Sequence, residues 1–274
     1  MQLLLQSPLP FEEDRLWIEA IQPWLSKNGI RDAALNITHY VATEMLNNVR
    51  DHSESKQVEV WAELSPSNFI LHVIDTGVGL FQRLASGLGL ANPREAVIEI
   101  CKGKRTTDPA HHTGQGIFFS SKVCEWFSVE TNGFGVKFVG SASAVLEFPN
   151  RANQVGTTIK FCVSRNPQRT LRDVFDEYCP QPEINFSRTI IGLRLMSEAD
   201  GSLVSRSQGR RLMAGLDKFE DVTLDFDGVA SIGQGFADEV FRVWRNDHPS
   251  IALRATHANA EVGKMLRHVG VVAS

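Results

Sequence analysis

From residue 187 onward, apolar segments of two kinds take turns. Strand-like runs at 189–195, 222–226 and 251–255 are each followed by a helix-period run, at 205–216, 236–245 and 260–269. This alternation constrains the chain more than its composition does, because a helix returning between two strands makes them parallel neighbours. A small α/β layer with a largely parallel sheet is expected here. The first 164 residues follow a different order. Helix-period segments at 16–25 and 32–52, the second headed by Asp32 as an N-cap, precede alternating strands at 58–64 and 69–74. The turn Ser65-Pro66-Ser67-Asn68 joins those strands. A Gly-rich polar stretch up to 116 holds one helix at 93–101, and a further helix covers 117–126. Strands follow at 127–131, 136–139, 144–148 and 157–163. Breaks at Ser164-Arg165-Asn166-Pro167 and Cys179-Pro180-Gln181-Pro182 bracket a short helix at 171–178. The expected fold class is α/β, with one domain over 1–164, a linker over 165–186 and a smaller domain over 187–274. A length of 274 residues suits two domains at the usual ~100–200 residues each.

Charge and composition remove several function classes. The 28 Lys and Arg against 32 Asp and Glu leave a net charge of −4, without the basic field of a strong nucleic-acid binder. Nucleic acid is not an expected partner, and no helix-turn-helix segment is recognisable. With 42% hydrophobic and 22% charged residues, the chain is neither disordered nor collagen-like. No apolar run approaches the ~20 residues that span a bilayer. The start, MQLLLQSPLPFEEDR, turns acidic without a basic leader region. Cys101, Cys124, Cys162 and Cys179 stand apart with no CxxC pair, which suits reduced thiols. A cytoplasmic protein without a membrane partner is the expectation.

Four short segments carry chemical interest. On the helix at 32–52, Ile37, Val41, Ala42, Met45, Leu46 and Val49 share one apolar arc. Glu44 and Asn48, four residues apart, stack at the edge of that arc, with His52 one turn on. They are either an edge pair bonded to a neighbouring loop, or a carboxylate base and an amide ligand facing a pocket. Next, Asp75-Thr76-Gly77-Val78-Gly79 follows directly on a strand. Gly77 and Gly79 allow a tight turn or a close backbone approach to a ligand, and Asp75 can accept a hydrogen bond from an exocyclic amine. Third, Thr113-Gly114-Gln115-Gly116 runs straight into a helix, as loop punctuation or as a phosphate cradle. Lys102, Lys104 and Arg105 just upstream form a solvated run or a lid whose cations close over phosphates. Finally, Gly156-Thr157 opens the last strand of the domain.

In that order and spacing, the four segments resemble the boxes of the GHKL nucleotide-binding family, which includes DNA gyrase, heat-shock chaperones, histidine kinases and mismatch-repair ATPases. Glu44–Asn48 is similar to its N box, Asp75–Gly79 to its G1 box, Gly114–Gly116 to its G2 box and Gly156-Thr157 to its terminal GT. The resemblance covers roughly 30–163. It implies the Bergerat two-layer α/β sandwich, with ATP held between the helices of a mixed sheet and a mobile lid. It places Mg²⁺ on Asn48, adenine recognition on Asp75 and a base-like role on Glu44. Gly77, Gly79, Lys104, Thr113, Gly114, Gln115, Gly116 and Thr157 complete the implied nucleotide site. Asp51 and His52 match residues common at the end of the N box, without a fixed role. The short stretch ahead of residue 32 has no room for a histidine-kinase hairpin, so the nearest branch is that of the bacterial anti-sigma-factor kinases.

The segment 187–270, through Val222–Val229 and Ser231–Glu239, resembles a bacterial STAS-like domain of unknown function. Asp238 and Glu239 there are otherwise residues that charge the first turn of a helix. The functional expectation is an ATP-binding regulatory protein. It is a slow ATPase or a serine/threonine protein kinase acting on a regulatory protein partner, or else a non-catalytic switch gated by ATP and ADP. Positions matching the phosphoacceptor of STAS antagonists are Gln234 and Gly235, which lack a hydroxyl. The loop is therefore not expected to be phosphorylated by the first domain. Gln234 and the helix from Phe236 to Phe241 are expected to form a docking or homodimer surface.

Overall fold

The computed structural model describes residues 3–104, 114–140, 143–147, 155–179, 186–197 and 200–271. The chain divides into two compact units, Met1–Val174 and Phe175–Ser274.

The first unit opens with β1 (Leu3–Pro8). A helical stretch follows, made of α1 (Glu13–Leu16), a π-wound turn (Trp17–Ile21) and α2 (Gln22–Lys27). The long helix α3 (Asp32–His52) comes next. Arg31 occupies its N-cap without a side-chain hydrogen bond, and Asp32 sits at φ 49 as the first helical residue. The expected Asp32 cap is therefore not formed, although an acid in the first turn still suits the positive helix end. β2 (Gln57–Leu64) and β3 (Asn68–Asp75) form a hairpin through the expected turn. Two helices, α4 (Leu80–Leu88) and α5 (Glu95–Lys102), precede α6 (Gly116–Val123). Then come β4 (Trp126–Thr131), β5 (Phe134–Val139), β6 (Ser143–Glu147) and β7 (Thr157–Ser164), while α7 (Leu171–Tyr178) runs across the division at Val174. The seven strands make one sheet in the order β1-β2-β3-β7-β4-β5-β6. Every pairing is antiparallel, so the sheet is not the mixed one expected.

One face of this sheet is apolar because the strands alternate. Val58, Val60 and Ala62 of β2, Phe69, Leu71 and Val73 of β3, and Ile159, Phe161 and Val163 of β7 are all buried. The α3 arc supplies Ile37, Val41, Ala42, Met45, Leu46 and Val49, all buried as the 3.6-residue period requires. A Phe or Leu fully withdrawn from water contributes about 1.5–3 kcal/mol, so this packing fixes where the end of α3 sits relative to β3 and β7. α3 packs on β3, β7 and α6.

The second unit is the parallel layer that the alternation predicts. It contains β8 (Arg188–Gly192), β9 (Ser202–Leu203), α8 (Arg206–Met213), β10 (Asp221–Asp225) and β11 (Ser231–Ile232). It continues with α9 (Gln234–Asp238), which runs through a π-wound stretch (Glu239–Trp244) into α10 (Arg245–Asp247), and ends with β12 (Ala252–Thr256) and α11 (Ala260–His268). The main sheet is β12-β10-β8, parallel throughout, and β11 pairs in parallel with β9. Among the described residues no helix is long and apolar enough to cross a membrane.

Candidate functional site

The end of α3, the end of β3 and the start of β7 meet at one place in the first unit. Two glycines permit the meeting. A Cβ on Gly77 would lie 1.8 Å from the carbonyl oxygen of Ser53, the C-cap of α3. That oxygen accepts the Val78 N–H at 2.8 Å. On the other side Gly156, at φ 95, would place a Cβ 2.1 Å from the Asp75 carbonyl oxygen. Gly79, at φ 85, abuts the β4–β5 turn, where a Cβ would meet Thr131 Oγ1 at 2.4 Å. The sequence offered a tight turn or a close approach to a ligand as the use of Gly77 and Gly79. In the structure the space beside each is filled by the chain's own atoms.

The junction buries Asp75 at 4% exposure. Its Oδ1 accepts the Gly77 N–H at 2.8 Å and the Thr157 N–H at 3.4 Å. Burial pushes the Asp75 carboxyl above the usual carboxylate range, against the opposing pull of those amides and of the Thr157 hydroxyl. Thr157 Oγ1 in turn accepts the Leu80 N–H at 3.0 Å, one of the donors that the start of α4 leaves over. Both amides land on Oδ1.

Beside Asp75 opens a shallow cleft lined by Asn48, His52, Asp75, Leu80, Arg83 and Thr157, with Met45 and Ile159 also in its lining. Asn48, Asp75 and Thr157 are thus brought together from three separate segments. The Asn48 carboxamide is half-buried and, among the described residues, makes only a long contact, 4.0 Å, to Met45 Sδ. Glu44, one turn earlier, is not part of the cleft lining. It leans instead on the first residue of α6, where a Cβ on Gly116 would come 2.1 Å from Glu44 Oε2. Gly114 takes φ 68 just ahead of α6, and Gln115 is the α6 N-cap, without a side-chain cap bond. Lys104 follows α5 at φ 53. Thr113 and the cationic segment from Arg105 lie outside the described residues.

Leu80 and Arg83 were missed by sequence reasoning, as was α4 itself, which is hidden between glycines. Arg83 Nη1 donates to Glu54 Oε1 at 2.7 Å. The cysteines form no disulfide, and burial pushes Cys162 up to about 11 and Cys124 well above its ordinary value. Neither is poised as a nucleophile.

In the second unit, Ser231 is exposed at the start of β11 and Gln234 is exposed at the start of α9. Phe236 and Phe241 are buried, so a docking surface cannot be read through them as expected; they are core. Asp238 and Glu239 do not charge a first turn. Asp238 pairs with Arg242 and with Arg206 at 3.3 Å, and Glu239 accepts from Arg210 Nε at 3.0 Å.

Residues 208–262, from α8 into α11, match a family model described as a STAS-like domain of unknown function (DUF4325). The C-terminal unit carries a STAS-like domain. No curated protein matches the chain. The parallel sheet around which the STAS-like unit is built agrees with the βαβ reading of its sequence.

Proposed function

We propose that the first unit is a GHKL-type nucleotide-binding domain of the Bergerat fold, acting as a slow ATPase or serine/threonine protein kinase on a regulatory protein. The observation that carries this reading is the single cleft that gathers Asn48, Asp75 and Thr157. A buried carboxylate that lines the cleft suits an adenine amine, which donates where Asp75 accepts. The Asn48 carboxamide, with no strong protein partner among the described residues, suits an oxygen ligand of Mg²⁺. Mg²⁺ there would neutralise phosphate charge during transfer. Glu44, resting against the start of α6, is positioned near the helix end that favours phosphate, and would take the proton of an attacking water or hydroxyl.

The test is the melting temperature of the full chain with and without millimolar Mg-ATP, together with phosphate release over hours. A ligand at 100 times its Kd stabilises by ~2.7 kcal/mol, which a thermal scan resolves. A melting shift with no phosphate release or transfer favours the nucleotide-gated switch. No shift at all rejects the cleft as a nucleotide site.

A further inference from the structure

The STAS-like unit carries a side-chain pair that the nucleotide reading does not use. Asp225 is the last residue of β10, and His257 follows Thr256, the last residue of β12. The two strands are parallel neighbours with Asp225 opposite Thr256. Both side chains therefore lie at the carboxyl edge of the sheet, where open parallel sheets place their ligands. The Asp225 side chain is only 5% exposed, and its Oδ1 accepts the Asp227 N–H at 3.0 Å and lies 2.8 Å from His257 Nδ1. The His257 side chain is 69% exposed. A carboxylate only accepts, so Nδ1 carries the proton of this bond. The neutral ring then keeps its lone pair on Nε2, the nitrogen not engaged by Asp225.

The backbone holds the imidazole in place. His257 sits at φ 51, a left-handed conformation that a non-glycine residue adopts only where its surroundings enforce it. Its neighbours enforce it: the Phe226 N–H donates to the Thr256 carbonyl at 3.0 Å. Asn259 Nδ2 donates to the carbonyls of Val229 and Ala230 at 2.8 and 3.0 Å, while Asn259 Oδ1 caps α11 through the Val262 N–H. An exposed ion pair returns little stability, which is a poor reason to hold a strained loop so firmly. An imidazole this exposed cannot enclose and desolvate a small substrate, but it can attack a centre presented by another surface.

We propose that His257 is a phosphoryl acceptor: its Nε2 takes the γ-phosphoryl group of Mg-ATP while Asp225 holds the ring. The donor rests on the nucleotide reading of the first unit; the acceptor does not. The Nε2 lone pair forms a bond to the γ-phosphorus as the bond from that phosphorus to the β,γ-bridging oxygen breaks. ADP leaves with the electron pair. The positive charge gained by the ring is met by the Asp225 carboxylate, which keeps the Nδ1 proton in its hydrogen bond. The products are N-phosphohistidine, still protonated at Nδ1, and ADP.

The experiment uses the full chain with γ-labelled Mg-ATP and, separately, with phosphoramidate, which needs no nucleotide site. The expected label survives alkali, is lost in mild acid and is absent in His257→Gln. Asp225→Asn, as a positioning variant, is expected to slow labelling by about tenfold or more and to change the imidazole tautomer seen in nitrogen-15 shifts. Labelling of His257 by phosphoramidate faster than the chain's other seven histidines, with none from ATP, keeps the acceptor and rejects the kinase reading, whereas labelling no faster than theirs overturns the proposal. No phosphate on His257 from either donor, or an acid-stable phosphate on Ser231 in its place, overturns the proposal.

Discussion

Gly77→Ala separates a glycine that serves the fold from one that serves a ligand. The new Cβ would lie 1.8 Å from the Ser53 carbonyl oxygen and 2.6 Å from its carbon. Both are backbone atoms at the end of α3, with no flexible side chain to yield. Relief requires the β3–α4 turn to move away, which breaks the 2.8 Å bond from Val78 to that oxygen. Overpacking costs about 1–3 kcal/mol and the lost hydrogen bond about 0.5–1.5 kcal/mol, together roughly 2–4 kcal/mol. For a unit of this size each kcal/mol moves the melting temperature by about 2–4 °C, so a drop of roughly 5–15 °C is expected. Gly89→Ala is the control, since Gly89 has φ 65 with nothing within 4 Å and should cost only the left-handed backbone penalty, about 1–2 kcal/mol. Urea unfolding followed by tryptophan fluorescence suits the measurement, because Trp17, Trp24, Trp61 and Trp126 lie in the first unit and only Trp244 in the second. A Gly77→Ala protein as stable as wild type, yet unable to bind ATP, would refute the packing argument and return the glycine to the ligand.

Other expectations follow from the same geometry. Asp75→Asn should abolish the ATP-induced melting shift while leaving the apo protein equally or more stable. The folded state raises the Asp75 carboxyl, so the stability linked to its neutral form is lost as pH rises through that raised value, and a neutral amide removes the penalty; a large loss of apo stability contradicts this. Glu44→Ala should still bind ATP but turn it over ~10²–10⁴-fold more slowly, whereas Asn48→Ala should lose the Mg²⁺-dependent part of the affinity; calorimetry with and without Mg²⁺, beside single-turnover rates, distinguishes the two. The 231–236 loop should carry no acid-stable phosphate after incubation with Mg-ATP, which peptide mass mapping checks. His257 is held above the ordinary histidine range by Asp225, so any stability from the pair is present below that range and fades as pH rises through the raised value. Melting curves of wild type and His257→Gln should therefore converge at alkaline pH.

Local periodicity carried much of the fold. The apolar arc of α3, the β2–β3 hairpin and the strand–helix alternation of the STAS-like unit could be read because each depends on residues a few positions apart. Asn48 and Asp75 stood out because a polar residue at the edge of an apolar face, or at the end of a strand, breaks a local rule. What the sequence could not give was set by distance along the chain. The run at Leu3–Pro8 is an edge strand only because β2, some fifty residues on, offers it a partner. α4 went unseen because glycines flank it, although its start is secured by the distant Thr157 hydroxyl. That miss concealed Arg83 and Leu80 in the cleft. Sequence likewise offered Gly77 as a tight turn or a close approach but could not say that the Ser53 carbonyl is what approaches, and it gave no sign that the Asp75 carbonyl abuts Gly156. Nor could it pair Asp225 with His257, which are 32 residues apart and meet only because parallel register places two strand ends side by side. Periodicity writes an element into neighbouring residues, whereas a site is made where elements meet, and only packing of the folded chain decides that.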